Sequence, residues 1–216
     1  HPDTAVSYIG IGAVYNNLRD YNKALESHNK ALEIRKEVLE EKHVDTEASY
    51  NNLGAVYFNL GAVYFNLEDY NKALEYYNKA LEIRKEVLGE KHTDTATSYN
   101  DIGHIYFKLE DFDKALEYYN KALEIRKEFF GKRRSNTGST YYNIGAVYLN
   151  LEYDDKALEY YNKALEIYKE VLGESDPYTQ QTIQVIEIIK QLLEKSQGKT
   201  EEPKKKKGFW AKLFGK

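Results

Sequence analysis

Four stretches of this 216-residue sequence are versions of one another: HPDTAVSYIGIGAVY from His1, HVDTEASYNNLGAVY from His43, HTDTATSYNDIGHIY from His92 and RSNTGSTYYNIGAVY from Arg134. Their starts are 42, 49 and 42 residues apart. A period of this length implies a stack of supersecondary units, because each unit can bury its apolar face only against a neighbour. In the third unit Tyr99, Ile102, Gly103 and Tyr106 fall at i, i+3, i+4 and i+7, one face of a helix. Asp94 and Thr95 stand at its start as candidate N-caps. LeuGluAsp at 109–111 interrupts, Asp111 can cap a second helix, and Ala115, Leu116, Tyr119, Ala122, Leu123 and Ile125 give that helix its apolar side. Gly131, with Gly89 and Gly173 in the neighbouring units, supplies a left-handed stop. Each unit therefore reads as a helix hairpin. The units are expected at 1–42, 43–91, 92–133 and 134–175, followed by a capping helix over 176–197 and a tail over 198–216.

The longer middle interval has a visible cause. Residues 54–67 read GAVYFNLGAVYFNL, one heptad written twice. Seven residues turn a helix by about 700°, some 20° short of two full turns, so either copy presents the same face. The link LeuGluAspTyr at 67–70 has its normal length from the second copy only. The expectation is that residues 61–67 fill the usual slot and that the first copy lengthens the helix N-terminally by about 10 Å. A looped-out copy would expose Val56, Tyr57 and Phe58.

The recurring pattern Tyr-x2-Ile-Gly-x2-Tyr, then Ala-x3-Tyr-x2-Ala, resembles the tetratricopeptide repeat. The matches are Tyr8, Ile11, Gly12, Tyr15, Ala24, His28 and Ala31; Tyr57, Leu60, Gly61, Tyr64, Ala73, Tyr77 and Ala80; Tyr99 through Ala122; and Tyr141, Ile144, Gly145, Tyr148, Ala157, Tyr161 and Ala164. His28 departs from the aromatic pattern, and Tyr stands where the family usually has Trp. The 42-residue period with LEIRKEVLGEKH and DT links is similar to the longer repeats of kinesin light chains. The resemblance covers about residues 1–197 and implies an all-α, right-handed solenoid of helix hairpins with a capping helix. It also implies a non-catalytic scaffold that binds a protein or peptide segment in a concave groove lined by the first helices.

By that resemblance, a second face of the first helices lines the groove: Thr97, Asn100, His104, Phe107 and Lys108 in unit three, with Val6, Ile9, Ala13, Asn16 and Asn17 in unit one. Unit two contributes Ala55, Phe58, Ala62, Phe65 and Asn66, and unit four Ser139, Tyr142, Ala146, Leu149 and Asn150. Asn17, Asn66, Lys108 and Asn150 make a polar ladder, and an Asn amide can bond both the N–H and the C=O of an extended peptide. Phe65, Phe107 and Leu149 would add apolar pockets. Solvation, or packing within the array, is the competing reading of this face. The carboxylate clamp of chaperone-binding relatives, two Lys and two Asn, is not matched.

Nothing points to catalysis, a metal or a cofactor. His1, His43 and His92 hold equivalent turn positions, but in a stack these lie about two helix spacings apart, far beyond the roughly 2 Å reach of a zinc ligand. His104 stands alone, and His28 takes an aromatic packing position. Glu75 and Glu82, or Glu117 and Glu124, read as solvated faces with i,i+4 ion pairs. GAVYFNLG lacks the Lys-Ser/Thr of a phosphate loop. The sequence has no Cys, which suits a reducing, cytoplasmic setting. It shows no signal peptide and no membrane-spanning run, and its first residue is His rather than Met, as in a trimmed segment.

The net charge of −4 hides an acidic body, −9 over residues 1–197, and a basic tail of +5. That balance argues against nucleic acid as the body's partner. In the tail, Lys204, Lys205, Lys206 and Lys207 precede Phe209, Trp210, Leu213 and Phe214, which share one face of a short helix. This is the pattern of a peripheral anchor on an anionic membrane surface, and a membrane-surface adaptor is the alternative function. A solubilising end, or a peptide that docks on this array or another protein, fits the same residues.

Overall fold

The computed structural model describes residues 2–38, 44–130 and 135–197. Among them the regular elements are nine α-helices: α1 Pro2–Asn17, α2 Tyr21–Val38, α3 Val44–Asn66, α4 Tyr70–Val87, α5 Thr93–Lys108, α6 Phe112–Phe130, α7 Ser135–Asn150, α8 Asp154–Val171 and α9 Pro177–Gln197. They divide into two compact units at Leu109/Glu110. In the first, α1 with α2 and α3 with α4 form hairpins, α2 packs on α3, and α4 packs on α5. In the second, α6 packs on α7, α7 and α8 form a hairpin, and α9 lies on α8.

The turn that ends each first helix is built the same way four times. Arg19, Glu68, Glu110 and Glu152 adopt left-handed φ values of 61°, 59°, 58° and 63°. A non-glycine residue there costs about 1–2 kcal/mol, and the next residue offsets part of it. Asp20, Asp69 and Asp111 accept the N–H of Lys23, Lys72 and Lys114 at 3.3, 3.2 and 3.2 Å, capping the second helices. Tyr153 takes that place before α8 and offers no such bond. Gly89 and Gly173 supply the expected left-handed stops, at φ +92° and +90°. The start of α5 differs from expectation. Asp94 and Thr95 lie inside its first turn, and His92 is the cap, its Nδ1 accepting the Asp94 N–H at 3.1 Å.

The repeated Gly and Ala set the packing. Ala24, Ala31, Ala73, Ala80, Ala115, Ala122, Ala157 and Ala164 are fully buried. In the α3–α4 hairpin the Tyr77 ring lies so close to Gly61 that a Cβ there would stand 2.9 Å from it, an approach open only to glycine. His28 takes the equivalent place against Gly12. Burial pushes its imidazole pKa down, and its Nδ1 is buried without a hydrogen-bond partner.

The doubled heptad forms one continuous helix. α3 has 23 residues where α1, α5 and α7 each have 16. Its two ends follow different registers. At the C-terminal end Gly61, from the second copy, meets Tyr77 of α4, the same 16-residue separation as Gly12 to His28 and Gly145 to Tyr161. At the N-terminal end Arg35 of α2 donates to the Asp45 carbonyl and, at 2.8 Å, to Ser49 Oγ. Arg84 does the same to Asp94 and Ser98, and Arg126 to Asn136 and Thr140. Val56 of the first copy is fully buried, whereas Val63 of the second is only half-buried. The α2 side is therefore keyed to the first copy and the α4 side to the second. The offset along α3 is seven residues, about 10.5 Å.

Candidate functional site

The best-formed cluster among the expected groove residues lies at the C-terminal ends of α3 and α5. Phe65 comes from the last turn of α3, just before the left-handed Glu68 redirects the chain into α4. His104 and Phe107 come from α5. The His104 ring stands edge-on to Phe65 at 5.0 Å between centroids and to Phe107 at 6.4 Å, and Phe65 also meets Tyr70 at 5.7 Å. Burial, helped by the nearby Lys108 ammonium, pushes the His104 pKa down to about 4, so its imidazole is neutral at pH 7. Asn66 and Lys108 are exposed at the margin of this cluster.

Other expected residues are engaged elsewhere. The ring of Phe58 lies 5.1 Å from Tyr77, with the Arg84 guanidinium 4.3 Å above it, so it packs between α3 and α4. Asn100 donates to the Asp101 carboxylate at 3.3 Å. Asn16 accepts from the Asn59 amide of α3 at 3.0 Å. Asn59 occupies in the first heptad the place that Asn66 occupies in the second. The polar ladder is therefore stepped between α1 and α3: exposed Asn17 stands at the level of the first copy, and Asn66 lies one heptad further along α3. The same step opens a cleft of about 370 Å³ between the α1–α2 turn, Leu18 to Asn22, and Leu60 and Tyr64 of α3. Sequence reasoning did not name this cleft; its signal was the doubled heptad.

In the fourth repeat the expectation fails for Leu149. It is completely buried, in one core cluster with Ala157, Tyr161 and the α9 residues Val185, Ile186 and Ile189. The physical reason is visible at Phe65, its equivalent, which packs against the following first helix at His104. At Leu149 the α9 residues close over this position, whereas Phe65 and Phe107 stay half-buried. Tyr142 also turns inward, edge-on to Tyr161 at 5.0 Å, with its hydroxyl buried and its phenol pKa pushed up to about 12 by burial. Asn150 is half-buried and spends its amide N–H on the Ala146 carbonyl of its own helix at 2.8 Å.

The tail residues Lys204, Lys205, Lys206, Lys207, Phe209, Trp210, Leu213 and Phe214 lie outside the described residues, as do His1, His43 and Gly131. Among the described residues no group of three or more His, Cys, Asp or Glu side chains could hold a metal, and no helix is long and apolar enough to cross a membrane. The carboxylates of the second helices make the expected i,i+4 ion pairs, such as Glu75 with Lys79 at 2.6 Å and Glu117 with Lys121 at 2.7 Å.

A family model of the tetratricopeptide repeat matches residues 3–58, 56–128 and 94–170. No curated protein matches the sequence. Among solved structures, BtubC (BKLC) from P. vanneervenii is 23% identical, with a TM-score of 0.60 over 90% of this chain and 81% of that one. A putative kinesin light chain from Podosopora anserina, with nearly identical TPR-like repeats, is 16% identical, with a TM-score of 0.55 over 92% of this chain and 90% of that one. The apo form of RapI is 20% identical, with a TM-score of 0.64 over 88% of this chain and 64% of that one. At such identities the likeness carries the fold alone, an all-α solenoid of helix hairpins.

Proposed function

Because this chain belongs to the tetratricopeptide repeat family, we propose that it is a non-catalytic protein-interaction scaffold whose ligand, an extended protein or peptide segment, lies across the C-terminal ends of α3 and α5. The observation that carries this reading is the Phe65–His104–Phe107 cluster with exposed Asn66 and Lys108 beside it. Half-buried aromatic edges give an apolar side chain a seat without the cost of ordering a flexible one. The Asn66 amide has both donor and acceptor for an extended backbone. Lys108 is a point charge suited to an acidic side chain of the ligand. The neutral His104 adds no second positive charge, so recognition there is apolar and shape-based.

Panning a random-peptide display library on the full chain tests this. Selected peptides should be enriched in an apolar residue next to an acidic one, and their affinity should fall on Phe107→Ala and on Lys108→Glu, with the melting curve unchanged for Lys108→Glu. Peptides that bind both variants as well as the parent would refute the site.

A further inference from the structure

One stripe recurs at i, i+3, i+7 and i+10 along four helices: Thr46, Ser49, Leu53 and Val56 on α3; Thr95, Ser98, Ile102 and Ile105 on α5; Thr137, Thr140, Ile144 and Val147 on α7; Thr179, Thr182, Ile186 and Ile189 on α9. All of these residues are buried. On α3, α5 and α7 the helix that precedes each in the chain covers the stripe, and one of its arginines, Arg35, Arg84 or Arg126, enters the hydroxyl position. These arginines are themselves buried. On α9 the covering helix is α8, which has Tyr168 in place of the arginine.

α1 carries the same stripe as Thr4, Ser7, Ile11 and Val14, and all four are exposed, Ile11 by 45% and Val14 by 57%. The chemistry of the receiving group is intact as well. Ser7 Oγ donates to the Asp3 carbonyl at 3.0 Å, as Thr140 Oγ1 donates to the Asn136 carbonyl at 3.0 Å. In Thr140 the oxygen lone pairs then accept from Arg126. In Ser7 the same lone pairs face solvent.

We propose that α1 is the docking face for an amphipathic helix built on the Ala-Leu-x-Ile-Arg pattern of α2, α4 and α6, with its arginine delivered to Ser7 Oγ. The stripe is straight and spans ten residues, about 15 Å, which suits a helix. Each recurrence of it in this chain is covered by one. A second copy is a poor occupant: among the described residues, α2, α4 and α6 already lie on stripes of their own chain, and α8 lacks the arginine. Continuity with three established interfaces thus fixes both the form of the partner and the residue it must carry.

The test uses a fluorescent peptide with the sequence of α4, Tyr70–Val87. A lactam joins Glu75 to Lys79 to keep it helical, since both side chains are on the exposed face. Titration of the full chain into this peptide should give a saturable rise in anisotropy. Arg84→Ala in the peptide removes a charged donor, and Val14→Asp in the protein sets a carboxylate on the apolar stripe; each should weaken binding about tenfold or more. Val14 is exposed, so V14D should keep the parent melting curve. Absence of saturable binding, or binding that both changes leave intact, overturns the proposal. Concentration-dependent self-association of the chain that V14D abolishes would assign the face to a second copy and overturn it too.

Discussion

Gly54 and Gly61 are the same residue of two identical heptads, yet replacing each by Ala should move stability in opposite directions. A Cβ on Gly61 would lie 2.9, 2.9 and 3.0 Å from Cδ1, Cγ and Cδ2 of Tyr77. Carbon pairs settle at about 3.5–4.0 Å, so the ring would have to retreat by roughly 0.6 Å. It cannot rotate away, because Cγ is fixed near the α4 backbone and Phe58 presses on the ring at 5.1 Å. The two helices must part instead. Overpacking of this kind costs about 1–3 kcal/mol, and the better helix propensity of Ala returns about 1 kcal/mol. A net loss of up to about 2 kcal/mol is expected for Gly61→Ala.

At Gly54 the nearest atom is Ile83 Cγ2 at 3.2 Å, a methyl group that can give way. There the propensity gain dominates, and Gly54→Ala should be neutral or stabilising by up to about 1 kcal/mol. Thermal and urea melts followed by circular dichroism would read the difference, at about 2–4 °C per kcal/mol for a chain of this size. A larger loss for Gly54→Ala than for Gly61→Ala would mean that the first copy holds the hairpin slot, and the register argued for α3 would be wrong.

Three further outcomes are expected. His104, with its pKa pushed down to about 4 from an ordinary 6.5, binds a proton in the unfolded chain before the folded one; its contribution is full above about pH 6.5, is lost as pH falls towards 4, and reaches at most about 3 kcal/mol. His104→Phe should flatten that part of the stability profile, and an acid profile identical to the parent's would contradict the burial argument. Arg84→Lys should cost about 1–3 kcal/mol, because the shorter lysine has no planar guanidinium to stack on Phe58 while one of its nitrogens donates to both the Asp94 carbonyl and Ser98 Oγ; an unchanged urea midpoint would show that the arginine is dispensable. On the sequence pattern of the tail, the emission of Trp210, the sole Trp, should shift to the blue with anionic vesicles, less with neutral ones, and return in high salt; equal shifts with both lipids would remove the electrostatic part of that reading.

Much of this fold was legible in the sequence because periodicity reports which residues of a helix share a face. The hairpins, the Asp111 cap and the continuity of α3 follow from spacing, as does the solvated character of the Glu–Lys faces, whereas the Gly–aromatic contacts and the His92 cap emerge only from the packed helices. What spacing cannot report is which neighbour meets a given face. Phe65 and Leu149 belong to the second face of their helices, as expected, but that face meets the next repeat at this level, and α9 closes over Leu149. The two copies in α3 are indistinguishable as a string; Arg35 selects the first because Ser49 offers it a hydroxyl, where the residue seven further on is Val56. The sequence likewise makes the stripe on α1 identical in kind to those on α3, α5 and α7. Only the packed structure separates them, since burial is a property of the neighbour and not of the residue.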